Sequence, residues 1–136
     1  MTYSEKKDYL NRYANLIHKI SGLSYEYHRL QDLGERINQQ YSAAPGGSGK
    51  EGKVEKAGMG MADITAQISQ EIQAATTARD EIINTIITKT ARYRHADILT
   101  MRYIHMMPIA KIAEAYGKDT RTIGRALKEA ITGLKI

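Results

Sequence analysis

Residues 98–128 read ILTMRYIHMMPIAKIAEAYGKDTRTIGRALK, and this stretch decides how the rest of the chain is interpreted. Two short segments with apolar residues at helical spacing meet at residues 116–119, Tyr-Gly-Lys-Asp. Pro108 stands ahead of the first segment and Asp119 opens the second. Proline suits the first turn of a helix, glycine its end, and aspartate the cap of the helix that follows. This order of signals predicts a helix-turn-helix.

The apolar spacing also predicts which faces of these helices are buried. The inward face of the first helix comprises Ile109, Ile112, Ala113 and Tyr116, and that of the second comprises Ile123, Leu127, Ala130 or Ile131, and Leu134. We expect Gly117 to adopt the left-handed conformation that closes the first helix. We expect Asp119 to accept a hydrogen bond from the amide near Thr122. A preceding helix is predicted to begin near Asp97 and to bury Ile98 and Tyr103.

The outward positions near the start of the last helix form the predicted DNA-binding site. They are Lys118, Thr120, Arg121, Thr122, Gly124, Arg125 and Lys128. Arginine pairs bidentately with guanine, threonine contacts phosphate or the thymine methyl group, and glycine permits close approach to DNA. The alternative is a three-helix head with an ordinary charged face that docks a protein.

The distribution of charge favours the same end of the chain. Residues 95–136 carry seven Lys or Arg and four Asp or Glu, which is a net +3 out of the chain's +5. A modest basic surface of this kind is compatible with phosphate contacts.

A long heptad pattern precedes the motif, in residues 1–41. The row alternates steps of four and three residues: Tyr9, Tyr13, Leu16, Ile20, Leu23, Tyr27, Leu30, Gly34, Ile37 and Tyr41. Tyrosine at this spacing favours packing in a seam over a nucleic-acid stacking surface. The pattern predicts one long helix that needs a partner for its apolar stripe.

Residues 42–58 are predicted to be a flexible Gly-rich linker, because they contain five glycines and one proline. Residues 47–52 fit G-x-G-x-x-G, and Gly49-Lys50 is similar to part of a phosphate-binding loop. No strand is predicted before these glycines, and Glu51 stands where a magnesium-binding Ser or Thr is needed. Phosphate binding at the linker is therefore disfavoured.

A second long helix is predicted within residues 59–92, from Met61 to Thr90. Its stripe includes Ile64, Ile68, Ile72 and Ala75, and then Ile82, Ile83, Ile86 and Ile87. The linker is long enough to reverse the chain. We therefore predict an all-α fold: a long two-helix, antiparallel coiled-coil-like hairpin, followed by a three-helix helix-turn-helix head at 95–136. The paired isoleucines widen the apolar face, which favours a homo-oligomer, with a dimer as the expected form.

Composition excludes several classes of function. The chain has no cysteine, which rules out disulfides and thiolate metal sites. No run approaches the ~18 apolar residues of a membrane span. No Ser/His/Asp cluster or carboxylate pair has a spacing that suggests catalysis. We expect a cytoplasmic protein that is not an enzyme and that uses no cofactor and no metal.

Three motifs in the C-terminal stretch resemble region 4 of sigma factors and the related LuxR-like heads. They are I-L-x-x-R-Y-I at 98–104, I-A-x-x-Y-G at 112–117 and D-x-R-T-I-x-R-A-L at 119–127. The resemblance implies that Asp119 is the cap and Ile123 part of the core. It makes Thr120, Arg121, Gly124 and Arg125 candidate base readers. Met107 departs from the pattern, since a polar cap is common at its position.

The layout of the whole chain is similar to small phage and prophage proteins of Gram-positive bacteria, in the style of the ArpU and RinA groups of late transcriptional regulators. That likeness implies sequence-specific binding of double-stranded DNA, transcriptional regulation in a bacterial host cell, and a possible contact with RNA polymerase. Two alternatives stay open: a DNA-packaging protein like a small terminase subunit, and a coiled-coil adaptor that does not bind DNA.

Overall fold

The structure is a computed structural model that describes residues 1–43 and 51–136, with the side chains of residues 1–37, 39 and 60–136. In these residues the chain forms α1 (Tyr3–Ala43), α2 (Glu51–Lys89), α3 (Tyr93–Tyr103), α4 (Ile109–Tyr116) and α5 (Thr120–Thr132). No strand occurs within the two described ranges. The predicted all-α fold class is confirmed.

A reciprocal pair of hydrogen bonds fixes the start of α1. The Thr2 amide donates to a Glu5 carboxylate oxygen at 3.1 Å, and the Glu5 amide donates to the Thr2 hydroxyl at 3.2 Å. This capping box satisfies two backbone donors that have no partner within the helix.

The second long helix begins earlier than the apolar stripe predicted. The expected start was Met61, whereas α2 begins at Glu51, inside the segment predicted as a linker. Residues 51–57 are rich in Glu, Lys and Ala, which are strong helix formers, and this outweighs the cost of Gly52. At its other end the predicted linker overlaps the last residues of α1. The remainder of the linker, with most of its G-x-G-x-x-G sequence, lies outside the described residues.

The chain divides into two compact units, unit 1 (residues 1–16 and 74–136) and unit 2 (residues 17–73). Within unit 2, Lys19 of α1 forms an ion pair with Glu71 of α2 at 2.8 Å. Ile37 is buried, and a Cβ atom at Gly60 would lie only 3.2 Å from a methyl group of Leu30. The absence of a side chain at Gly60 therefore lets Leu30 pack closely against α2.

Unit 1 holds one hydrophobic core to which all five helices contribute. Its buried members are Leu10 of α1; Ile82 and Ile86 of α2; Ile98, Leu99 and Tyr103 of α3; Ile112 and Ala113 of α4; Ile123, Leu127, Ala130 and Ile131 of α5; and Leu134. The helices α3, α4 and α5 also contact one another pairwise. The core thus combines the beginning of α1 and the end of α2 with the three C-terminal helices.

Polar contacts between α1 and α2 surround this core in unit 1. The Tyr9 hydroxyl lies 2.8 Å from the Thr85 hydroxyl, and Arg12 forms an ion pair with Glu81 at 3.0 Å. These contacts run in opposite order along the two helices. Arg12 comes after Tyr9 in α1, whereas its partner Glu81 comes before Thr85 in α2. Ala75 and Ala78 of α2 are buried as well, whereas Ile87 is 69% exposed because Ile82 and Ile86 occupy the inward positions.

We expect Leu10→Ala to lower the free energy of unfolding by about 2–5 kcal/mol, because it leaves a cavity in a side-chain site with no solvent exposure. Leu33→Ala is the matched control, since Leu33 is 41% exposed and its truncation leaves no enclosed cavity. Urea unfolding of both variants measures the difference. Equal losses in the two variants would contradict the placement of α1 in this core.

Candidate nucleic-acid interface

The turn between α4 and α5 depends on Gly117. This residue has φ +61° and ψ +34°, the left-handed conformation that was expected from the sequence. Its amide donates to the Glu114 carbonyl at 3.2 Å, and the Lys118 amide donates to the Ala113 carbonyl at 2.9 Å. These bonds satisfy the last carbonyls of α4 and turn the chain toward α5.

Asp119 caps α5, as the sequence predicted. Its carboxylate accepts a hydrogen bond from the Thr122 amide at 2.8 Å, and its backbone is extended (φ −83°, ψ 165°). The pKa of Asp119 is lowered from its ordinary value, first because the Thr122 side chain donates a hydrogen bond to the carboxylate and then because the Thr122 amide does. Thr122 is therefore engaged in holding the first turn of α5.

The helix α5 separates a buried face from a basic one. Ile123, Leu127, Ala130 and Ile131 point into the core of unit 1. Of the seven predicted site residues, Gly124 is half-buried and the rest are exposed: Lys118, Thr120, Arg121, Thr122, Arg125 and Lys128. Arg121, Arg125 and Lys128 follow one another at steps of four and three, which places them in one stripe along the helix. None of the ion pairs in the described part of the chain includes a basic residue of this stripe.

Gly124 has no internal packing reason to be glycine. A Cβ atom built on it meets nothing within 4 Å. Glycine in a helix interior costs about 1 kcal/mol relative to alanine. The protein itself would therefore accommodate alanine here.

The helix α3 begins at Tyr93, four residues before the predicted start at Asp97. Arg92 is extended (φ −113°, ψ 128°) and separates α3 from the end of α2, so the helix starts as soon as the backbone returns to helical angles.

Pro108 is the cap of α4 and not part of its first turn, and it provides no side-chain cap bond. Before it, Met106 has φ +55°, and Arg102 donates to the Met107 carbonyl at 3.0 Å.

A basic segment lies beside α5 that the sequence reasoning did not assign to the site. Residues 91–95 line a cleft of 580 Å³ together with Ala126 and Glu129 of α5. A second groove, of 460 Å³, is lined by Arg125, Lys128, Glu129, Thr132 and Gly133. The concentration of Arg92, Arg94 and His95 was visible in the sequence, but their placement against α5 depends on how α3 packs.

Two further kinds of site were sought among the residues described: metal sites and membrane spans. Across both described ranges, no group of three or more His, Asp or Glu is placed to hold a metal ion. No described helix is both long and apolar enough to cross a membrane. The arrangement can contact an anionic partner through exposed guanidinium and ammonium groups.

Comparison with protein-family models, with curated proteins and with solved structures found no match to this chain.

The lowered pKa of Asp119 predicts a loss of stability in acid. A depressed folded-state pKa contributes stability that is complete above the unfolded aspartate pKa of about 3.9 and is lost as pH falls through the folded-state pKa. Asp119→Asn is the matched control, because asparagine caps a helix but does not titrate. We expect the wild type to lose stability relative to Asp119→Asn as the pH falls from 5 to 2, measured by thermal unfolding. Parallel pH profiles would contradict the lowered pKa of Asp119.

Proposed function

We propose that the chain binds double-stranded DNA sequence-specifically, with α4 and α5 as a helix-turn-helix and α5 as the recognition helix. The observation that carries this proposal is the basic stripe of Arg121, Arg125 and Lys128, exposed on α5 opposite its buried face and without ion-pair partners in the described part of the chain. Because these side chains form no ion pair with the described residues, their N–H groups remain available to donate to base edges and phosphates.

The local geometry supports the recognition-helix assignment. Gly117, Lys118 and Asp119 join α4 to α5, a turn of the length usual in DNA-binding motifs of this kind. The Asp119 cap orders the first turn of α5, and the recognition helix of such motifs contacts bases mainly from its N-terminal part. Thr120, Arg121, Gly124 and Arg125 lie in that part.

The finer architecture is part of the same proposal. We take α1 and α2 as an antiparallel hairpin and α3–α5 as a helix-turn-helix head that shares the core of unit 1. A homodimer would present two copies of α5 to a pseudo-palindromic site. We include in the proposal a role as a phage-type transcriptional regulator, with or without contact to RNA polymerase; the similarity of the whole-chain layout to small phage and prophage regulators supports it.

The direct test is selection of binding sites from a random duplex library with the purified chain, followed by affinity measurements on the selected site. A selected motif with two half-sites and a dimeric mass by light scattering would support a role as a transcriptional regulator. A ring-like oligomer with preference for a genome end would favour the packaging role instead. Absence of any duplex binding would overturn the proposal and leave the adaptor role.

Arg121→Ala and Arg125→Ala test base reading. We expect each to cost roughly 1–3 kcal/mol on the selected site and to relax preference at one base pair, because a bidentate contact to guanine is lost. Arg36→Ala serves as control, since Arg36 is an exposed arginine of α1 in unit 2. Unchanged affinity and preference in both α5 variants would remove α5 from the recognition role.

The variant Gly124→Ala tests folding stability and DNA affinity separately. The added methyl group meets no protein atom, so we expect the variant to gain up to about 1 kcal/mol of stability. If the DNA approaches α5 closely at this point, the same methyl group lowers affinity for the selected site. Gly22→Ala is the control, since a Cβ at Gly22 in α1 also meets nothing within 4 Å, and it should stabilise without affecting affinity. Equal affinity of both variants would argue against close approach at Gly124.

A further inference from the structure

The cleft beside α5 and the groove along it adjoin each other at Glu129. Glu129 lines both of them, with Arg125 and Lys128 on one side and Arg92, Arg94 and His95 on the other. All of these residues belong to unit 1 and lie on α5 or at the start of α3. A ligand that covers the groove lined by Arg125 and Lys128 therefore lies next to the cleft lined by residues 91–95.

The side chains of this segment are free to contact an anion. Arg92 and Arg94 are exposed, and neither takes part in an ion pair among the residues described. Tyr93 between them is 82% exposed. Arg92 is the cap residue of α3 but makes no side-chain cap bond, so its guanidinium is not needed to hold the helix.

Dimensions decide which part of DNA would meet this segment. An α-helix with its side chains is about 10–12 Å across, and the major groove is about 12 Å wide. A recognition helix therefore fills the groove from wall to wall. A basic segment beside that helix, on the side that faces the DNA, would then meet the sugar-phosphate strand at the edge of the groove and not the base edges.

We propose that Arg92 and Arg94 bind the phosphates of the DNA strand that flanks the groove entered by α5, and that Glu129 opposes this contact by repelling the same phosphates. This inference rests on the proposed DNA binding and extends the interface beyond α5. Phosphate contacts carry no sequence information, so these arginines set the affinity and the register of the protein on DNA, whereas Arg121 and Arg125 set the sequence.

The test compares Arg92→Gln/Arg94→Gln with Arg29→Gln/Arg36→Gln, a control with the same change of charge on α1 in unit 2. Affinity for the selected duplex and for an unrelated duplex is measured over a range of salt concentrations. We expect the first variant to weaken both duplexes by a similar factor, on the order of tenfold in 0.1 M salt. The slope of log affinity against log salt should become shallower by about 1.8, and the control should change neither quantity appreciably.

Glu129→Gln gives a prediction of opposite sign. Removing the carboxylate should raise affinity for both duplexes, with sequence preference unchanged. Because misfolding cannot increase affinity, this variant keeps the proposal testable even if the arginine variant is unstable. Thermal unfolding followed by circular dichroism checks that every variant is folded.

Three outcomes would overturn the inference. If Arg121→Ala lowers affinity while the Arg92/Arg94 variant and Glu129→Gln leave it unchanged, the 91–95 segment does not contact DNA, although the proposed function stands. If the wild type binds no duplex at all, both proposals fail. Poly-glutamate is measured in parallel, and loss of its binding alone in the Arg92/Arg94 variant would reassign the segment to an acidic protein partner.

Discussion

Burial of apolar side chains from all five helices in a single core is the constraint on which the site depends. The helix α5 has 13 residues and α4 has eight, and isolated helices of this length are marginal in water. Each is stable because its apolar residues enter a core that Leu10, Ile82 and Ile86 close from the long helices. The side chains left outside the core are the ones that form the basic surface.

Hydrogen bonds at both ends of α5 then set the direction in which that surface points. The left-handed Gly117 and the Asp119 cap fix the change of direction between α4 and α5. After α5, the Lys135 amide donates to the Lys89 carbonyl at 3.1 Å, and the Lys6 ammonium group donates to the Thr132 carbonyl at 3.0 Å. The end of α5 is thereby attached to both long helices, so the exposed arginines project from a supported element and not from a loose arm.

Short-range features of this arrangement could be predicted from the sequence. Gly117 and Asp119 act through backbone geometry and one hydrogen bond, and both are encoded within a few residues. The division of α5 into a buried and a basic face follows from its helical period. The sequence also encodes the start of α1, since Thr2 and Glu5 have the spacing of a capping box.

Features that depend on distant packing could not be predicted. Leu10 stands next to Tyr9 of the heptad row and not on it, and it is buried because α3–α5 add a second contact surface to α1. The start of α2 at Glu51 follows helix propensity in a segment where the apolar stripe gives no signal. The cleft beside Arg92 exists only because α3 returns to pack on α5, and residue spacing within 91–95 does not encode that contact.

The discontinuity of unit 1 has a consequence for how the chain folds and varies. Contacts among α3, α4 and α5 join neighbours in sequence, whereas Tyr9 and Thr85 are 76 residues apart. Local contacts form fast and distant ones require the closure of a long loop, so α3–α5 are expected to assemble before α1 joins them.

Loop-closure entropy grows only slowly with length, by about 0.6 kcal/mol for each doubling. A change of length within residues 17–73 should therefore cost little loop-closure entropy, so we expect the surface that carries Arg121 and Arg125 to tolerate it.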